Sequence, residues 1–292
     1  MSAPPLDAAV LLAVASLRDA GVPNPDILFL LGTGADVLPK TVVESLTPIS
    51  LVDLPGIPEM WMGCALRFGS LPAGPGTVAT VWVLDDIGLD TPVKPGEVPF
   101  ERGYPCWLAA YAGASLLIHT SAAGALAGSG LTPGELAVVR DHINLSGSTP
   151  LYALGESKLG PLFPDVSQLH SPLLRQEALD FAQADGIALT EVTVACAAPV
   201  SLATPAERDW FRVVGADAWI QGIANPLLAA AHAGLSALAL TAITADSDGA
   251  TDIPAMLVAS TEAAPKMVSL LERVLPAAAN FVMRPSSQQE NA

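Results

Sequence analysis

Apolar residues recur at helical spacing from Leu6 to Asp19, and Gly21 ends the pattern, which predicts a first amphipathic helix. The next apolar run, Ile27–Leu31, is continuous and closes on Gly32-Thr33-Gly34. An unbroken run of that length fits a strand buried on both faces, and a glycine turn after it is the common opening of a parallel α/β sheet. Further runs of this type cover 78–84, 115–120, 136–139, 192–196 and 237–243. Helical patterns lie between several of them, at 105–113, 172–184, 205–214 and 226–233, and a last one covers 262–274. Alternation of this kind predicts a single α/β domain over 1–283, with a twisted, mostly parallel central β-sheet flanked by helices. Residues 86–103 mix prolines, glycines and acids without a clean period and read as a long loop of the kind that often serves as a lid. Residues 146–171 are also irregular, and the polar tail 284–292 is expected to be disordered.

Charge narrows the partners. The 292 residues hold 13 Lys+Arg against 29 Asp+Glu, a formal net charge of −16, which repels nucleic acid and anionic lipid. The same field repels free phosphate unless a local cluster of donors overcomes it. Mean hydropathy is +0.47, yet the most apolar stretch, 226–245, is rich in Ala, carries His232 and is broken by Gly234. It reads as a buried helix followed by a buried strand, not a membrane span. The N-terminus carries an acid and two prolines where a secretory signal needs basic residues, so a cytoplasmic protein is expected. Cys64, Cys106 and Cys196 are odd in number and widely spaced, which predicts reduced, buried thiols. His119, His142, His170 and His232 make no short-spaced ligand pair, so no metal site is expected.

Three segments carry candidate chemistry. Thr33 and Gly34 follow the first strand, where small residues let backbone approach a ligand and Thr33 adds a hydroxyl. Thr120-Ser121-Ala122-Ala123-Gly124 ends another strand, the place where parallel sheets bind ligands. It is followed by Arg140-Asp141-His142-Ile143-Asn144, whose polar groups read as a network tying loops together. Asp246 and Asp248 end the run at 237–243. Two such carboxylates can exchange a proton with a ligand nitrogen, though on residue type alone a solvated acidic turn is the simpler reading.

Taken in order, the GTG turn, TSAAG, GELAVVRDHINL, Thr204-Pro205-Ala206-Glu207, Gly215-Ala216-Asp217 and AITADSD resemble the trimeric purine nucleoside phosphorylase family, which includes the methylthioadenosine phosphorylases. The resemblance runs from about Ile27 to the last helix. It implies a glycosyl transferase of purine salvage, with no cofactor, orthophosphate as co-substrate, and a homotrimer whose sites are completed by a neighbour's loop. Phosphate would attack C1′ while the base departs through an oxocarbenium-like state. Thr33, Ser121 and Ala122 match phosphate-side positions, with Gly34 and Gly124 beside them. Asp246, as the catalytic proton donor, and Asp248 match base-side positions of the 6-aminopurine or methylthioadenosine branch.

Other positions depart from the family. Asp85 and Asp86 stand where the family has an Arg and a His that grip phosphate, and carboxylates there repel it. Lys94 and Arg102 are the nearest bases able to replace them from the loop. Leu202 and Ala203 replace the aromatic and the Glu before the TPAE segment. Gln221 and Gly222 replace a Met and a hydroxyl residue, and Gln221 still offers a hydrogen bond to a ribose hydroxyl. Three functions follow: phosphorolysis of a purine nucleoside, a degenerate member that binds a small ligand or acts as a structural subunit, and a hydrolase in which Asp85 or Asp86 activates water.

Overall fold

The computed structural model describes residues 6–32, 37–52, 54–73, 76–87, 98–152, 154–155, 157–198, 202–248 and 252–284. The helices are α1 (Leu6–Asp19), α2 (Lys40–Val43), α3 (Tyr104–Ala112), α4 (Pro172–Asp185), α5 (Pro205–Val213), α6 (Ala224–His232) and α7 (Ile253–Val282). The strands are β1 (Ile27–Leu31), β2 (Thr47–Ser50), β3 (Ala65–Pro72), β4 (Val78–Asp85), β5 (Leu116–Ala125), β6 (Leu136–Asn144), β7 (Leu189–Cys196), β8 (Ala218–Ile220) and β9 (Ser236–Ala245).

All nine strands join one mixed sheet in the order β2-β3-β4-β1-β5-β8-β7-β6-β9. Because β5 also pairs with β9, the strands β5, β8, β7, β6 and β9 close a ring, which leaves no free edge there. The outer strands β4, β1 and β5 run parallel to one another, and β9 runs parallel to β5.

Period-2 alternation sorts the strand residues between two cores. Leu28, Leu30, Trp82, Leu84 and Leu117 pack with α1, α3 and α6. Ile27, Phe29, Val81, Val83 and Ile118 pack on the opposite face with α4 and α7. A smaller cluster of Phe211, Ala216, Trp219, Ala245 and Ala203 sits where α5 covers the closed ring.

Several elements run past their predicted ends. β5 continues to Ala125 and β6 to Asn144, so the Arg140–Asn144 segment is strand. The last helix begins at Ile253 and contains Pro265 and Pro276. The short β2 and β8 escaped the hydrophobic pattern. Residues 99–103, expected in the long loop, form a 3-10 turn whose Glu101 carbonyl accepts from Trp61 Nε1–H at 2.6 Å. All three cysteines are free, with Cys106 and Cys196 buried, but Cys64 is only half-buried. The tail beyond 284 lies outside the described residues.

Candidate active site

The carboxyl ends of β4, β1 and β5 meet at one edge of the sheet. Gly32 N–H donates to the Thr120 carbonyl at 2.9 Å, and Asp86 N–H to the Leu31 carbonyl at 2.7 Å. A Cβ on Gly32 would lie 2.3 Å from the Thr120 carbonyl oxygen and 3.3 Å from both His119 Cε1 and Ser121 Cα. Only glycine allows β1 and β5 to close this far. Thr33, Gly34 and Lys94 lie outside the described residues.

Beyond that edge a cavity of about 500 Å³ opens between β5, β8, β9 and the start of α7. It falls in the size range of small-molecule sites, roughly 300–1,000 Å³. Ala122, Gly124, Leu202 and Gln221, all marked in the sequence, line it. Trp219, Thr244, Met256 and Leu257, which were not marked, line it as well. A register shift between Ala123 and Gly124 on the β5–β9 pair brings Gly124 opposite Ala245 and leaves Thr244 as the extra residue. Bulges of this kind re-aim side chains at strand ends near sites.

Trp219 fits because Gly124 has no side chain. A Cβ there would lie 2.2 Å from the indole Nε1. The indole N–H is buried without a partner among the described residues, on a residue that lines a mostly apolar cavity. Gln221 donates from Nε2 to the Ala198 carbonyl at 3.0 Å. Ala203 is buried in the cluster behind Leu202, and Gly222 turns the chain after β8 with φ of 86°.

The acidic residues divide by environment. Asp85 is exposed and accepts from Arg67 at 2.7 Å. Asp86 turns inward: its side chain is 6% exposed, and its Oδ2 lies 2.9 Å from His119 Nε2. Burial, reinforced by the carboxylates of Asp85 and Asp86, raises the Cys64 thiol above its ordinary range, which marks this corner as electronegative. Arg102, expected on the loop, is buried at the end of the 3-10 turn. The adjoining Gly103 packs so closely on Ala229 that a Cβ would approach its methyl to 2.5 Å. Asp246 and Asp248 are exposed in the turn after β9 and do not line the cavity. The carbonyl of the intervening Ser247 accepts from Arg208 at 3.3 Å.

Much of the motif pattern serves the scaffold. Thr204 caps α5 and Glu207 caps it in return, the reciprocal arrangement that a T-P-A-E sequence encodes. Asp217 Oδ2 accepts from Thr193 N–H at 2.8 Å, joining β7 to the start of β8. Asn144 bonds to Ser146 and Ser148, and Arg140 donates to Thr193 at 2.9 Å, so these polar groups do tie loops and strands together. Among the described residues no group of three or more His, Cys, Asp or Glu is placed to hold a metal ion. None of the described helices is long and apolar enough to cross a membrane.

A cavity at the carboxyl ends of β5, β8 and β9 in a mixed sheet flanked by helices is an α/β architecture of the phosphorylase type. The phosphorylase superfamily profile matches residues 99–276. The chain is 33% identical over 247 residues to purine nucleoside phosphorylase 1 of Geobacillus stearothermophilus, covering 82% of this chain and 84% of that protein. It is 26% identical to purine nucleoside phosphorylase 1 of Bacillus subtilis, covering 79% and 83%. In fold it is similar to the Schistosoma purine nucleoside phosphorylase solved with hypoxanthine, with a TM-score of 0.79, 20% identity, and 94% and 99% of the two chains covered. This chain belongs to the purine nucleoside phosphorylase family of the phosphorylase superfamily.

Proposed function

We propose that the chain cleaves the N-glycosidic bond of a purine nucleoside, with orthophosphate as the acceptor. The carrying observation is the cavity at the ends of β5, β8 and β9, whose walls are mostly apolar and whose size suits a nucleoside. In this reading the base lies among Ala122, Gly124, Leu202 and Trp219, and the acceptor sits on the Gly32 and Ser121 side, where Thr33 and Gly34 follow. Asp246 stands two residues beyond the cavity-lining Thr244 and donates a proton to the departing base, with Asp248 beside it. The base is a 6-aminopurine, as in methylthioadenosine. The chain acts as a cytoplasmic homotrimer. No cofactor takes part.

Asp85 and Asp86 support a second reading, in which water replaces phosphate, because both carboxylates sit at the edge where the acceptor would bind. One experiment separates the readings: release of free base from a panel of purine nucleosides, with and without phosphate, followed by chromatography. Phosphate-dependent release supports the first reading, and release without phosphate supports the second. No release under either condition overturns both and leaves a ligand-binding or structural member of the family.

A further inference from the structure

Asp86 and His119 form a pair whose parts come from different strands. Asp86 follows β4, and His119 is the fourth residue of β5. Both point to the face covered by α1, α3 and α6, because Leu84 and Leu117, two residues earlier on each strand, belong to that core. A carboxylate only accepts, so the 2.9 Å contact places a proton on His119 Nε2, and in the neutral imidazole Nδ1 then carries the lone pair. That Nδ1 is buried and has no hydrogen-bond partner among the described residues, and the residue as a whole is 1% exposed. Orphaned polar atoms at such depth are rare and call for a function.

The position of the ring supplies one. His119 Cε1, which joins the two ring nitrogens, and Ser121 Cα would each lie 3.3 Å from a Cβ placed on Gly32. Ser121 Oγ is buried there too, also without a partner. The imidazole and the hydroxyl-bearing Ser121 thus flank Gly32 at the end of β1, with the cavity-lining Ala122 following Ser121 in β5.

We propose that Asp86 and His119 form an acid–base pair in which His119 Nδ1 takes the proton from the O–H of the acceptor that attacks C1′. The inference rests on the nucleoside-cleaving reading above. As the acceptor oxygen bonds to C1′, its proton passes to Nδ1, the C1′–N9 bond breaks, and its electron pair leaves with the purine. Asp246 protonates the departing purine, and the proton on His119 then returns through solvent to Asp246, so the reaction needs only nucleoside and acceptor. Asp86 holds the imidazole tautomer and stabilises the imidazolium that forms, as an aspartate does behind a catalytic histidine. An acid therefore replaces a phosphate-gripping base at this strand end without leaving a bare negative charge beside the acceptor. Among the described residues the neighbouring titratable groups are two thiols and Asp85. The Cys64 and Cys106 thiols are both raised, chiefly by burial and further by Asp86, so neither titrates near neutrality, and Asp85 is paired with Arg67.

The test compares the full chain with His119→Gln and Asp86→Asn, measuring kcat and KM for base release from pH 5 to 8, with and without phosphate. The phosphate arms show whether the deprotonated O–H belongs to phosphate or to water. For His119→Gln the expected result is a loss of about 10²–10⁴ in kcat with little change in nucleoside KM. The acid-side fall in rate of the unaltered chain disappears in that variant and shifts in Asp86→Asn. Quenching of tryptophan fluorescence by nucleoside confirms that the variants keep the cavity. A His119→Gln protein that retains kcat within about fivefold overturns the proposal while the nucleoside reading stands. If that variant does not fold, an unaltered chain lacking the acid-side fall, or an Asp86→Asn profile identical to it, overturns the proposal. If the unaltered chain releases no base at all, the nucleoside reading fails first and the acid–base pair with it.

Discussion

Replacing Gly124 by alanine adds one methyl at the point where the cavity wall is tightest. The new Cβ would lie 2.2 Å from Trp219 Nε1, 2.4 Å from Cε2 and 2.8 Å from Cζ2. Gly124 has no positive φ, so the cost is steric and not conformational. The indole cannot move away freely, because it is a rigid ring, 4% exposed, packed in the cluster with Phe211, Ala216 and Ala245. Overpacking of a filled core costs about 1–3 kcal/mol. For a chain of this size that corresponds to roughly 2–4 °C of Tm per kcal/mol. The displaced ring also narrows the cavity, so nucleoside KM rises together with the loss of stability.

Trp219→Ala removes the clashing atoms and supplies the control. Alone it costs about 3–5 kcal/mol, as large aromatic truncations do. In the Gly124→Ala background the strain is absent, and the cycle measured by chemical denaturation returns a coupling of about 1–3 kcal/mol. A Gly124→Ala protein within about 0.5 kcal/mol of the unaltered chain, or a cycle that closes additively, would refute the close packing of indole on glycine.

Other substitutions probe separate parts of the scaffold. His142 Nδ1 and His170 Nε2 are 3.1 Å apart; burial lowers the pKa of both, and that of His170 to about 3. Because the folded state binds the proton less readily than an unfolded histidine near 6.5, the stabilisation is complete above that pH and is lost on acidification. His170 alone accounts for about 2 kcal/mol of lost stability at pH 5, and denaturant titrations of His170→Asn at pH 7 and 5 will show a shallower decline. Thr204→Ala removes the reciprocal cap of α5 and costs about 1 kcal/mol in the same assay. Arg67→Ala breaks a pair whose side chains are 29% and 66% exposed, and changes stability by less than about 1 kcal/mol. Gly32→Ala drives a Cβ to 2.3 Å from a backbone oxygen that cannot rotate away, so thermal melts will show a larger drop than for Gly124→Ala.

What the sequence disclosed depended on how far apart the interacting residues lie. Ile27–Leu31 and Val78–Asp85 declare themselves because both faces of each strand are buried, and a continuous apolar run has few other uses. Ala218–Ile220 stays hidden because three residues are too few to show a period. The second half of β6 reads as polar loop because Arg140, Asp141 and Asn144 find partners outside the apolar core. The first turns of α7 carry no amphipathic signal, since Ile253, Leu257 and Val258 are exposed apolar residues, and its two prolines read as breakers. Of the cavity lining, Ala122 and Gly124 stand in a local motif at a strand end, and Leu202 and Gln221 were marked through the family resemblance. The contacts that shape the chemistry are pairings across the sheet. His119 looks like one polar residue in an apolar strand, and Asp86 like a carboxylate that repels phosphate or activates water, until β1 sets β4 and β5 in register and brings the two together. Trp219 likewise reads as core until Gly124 is placed opposite it by the β5–β8 pairing. Registers of this kind join residues 33 and 95 positions apart, and no local spacing rule encodes them. In the sequence the end of β4 shows two acids where the resembling family has two bases. The fold turns the second of them inward against His119, a contact that only the sheet register reveals.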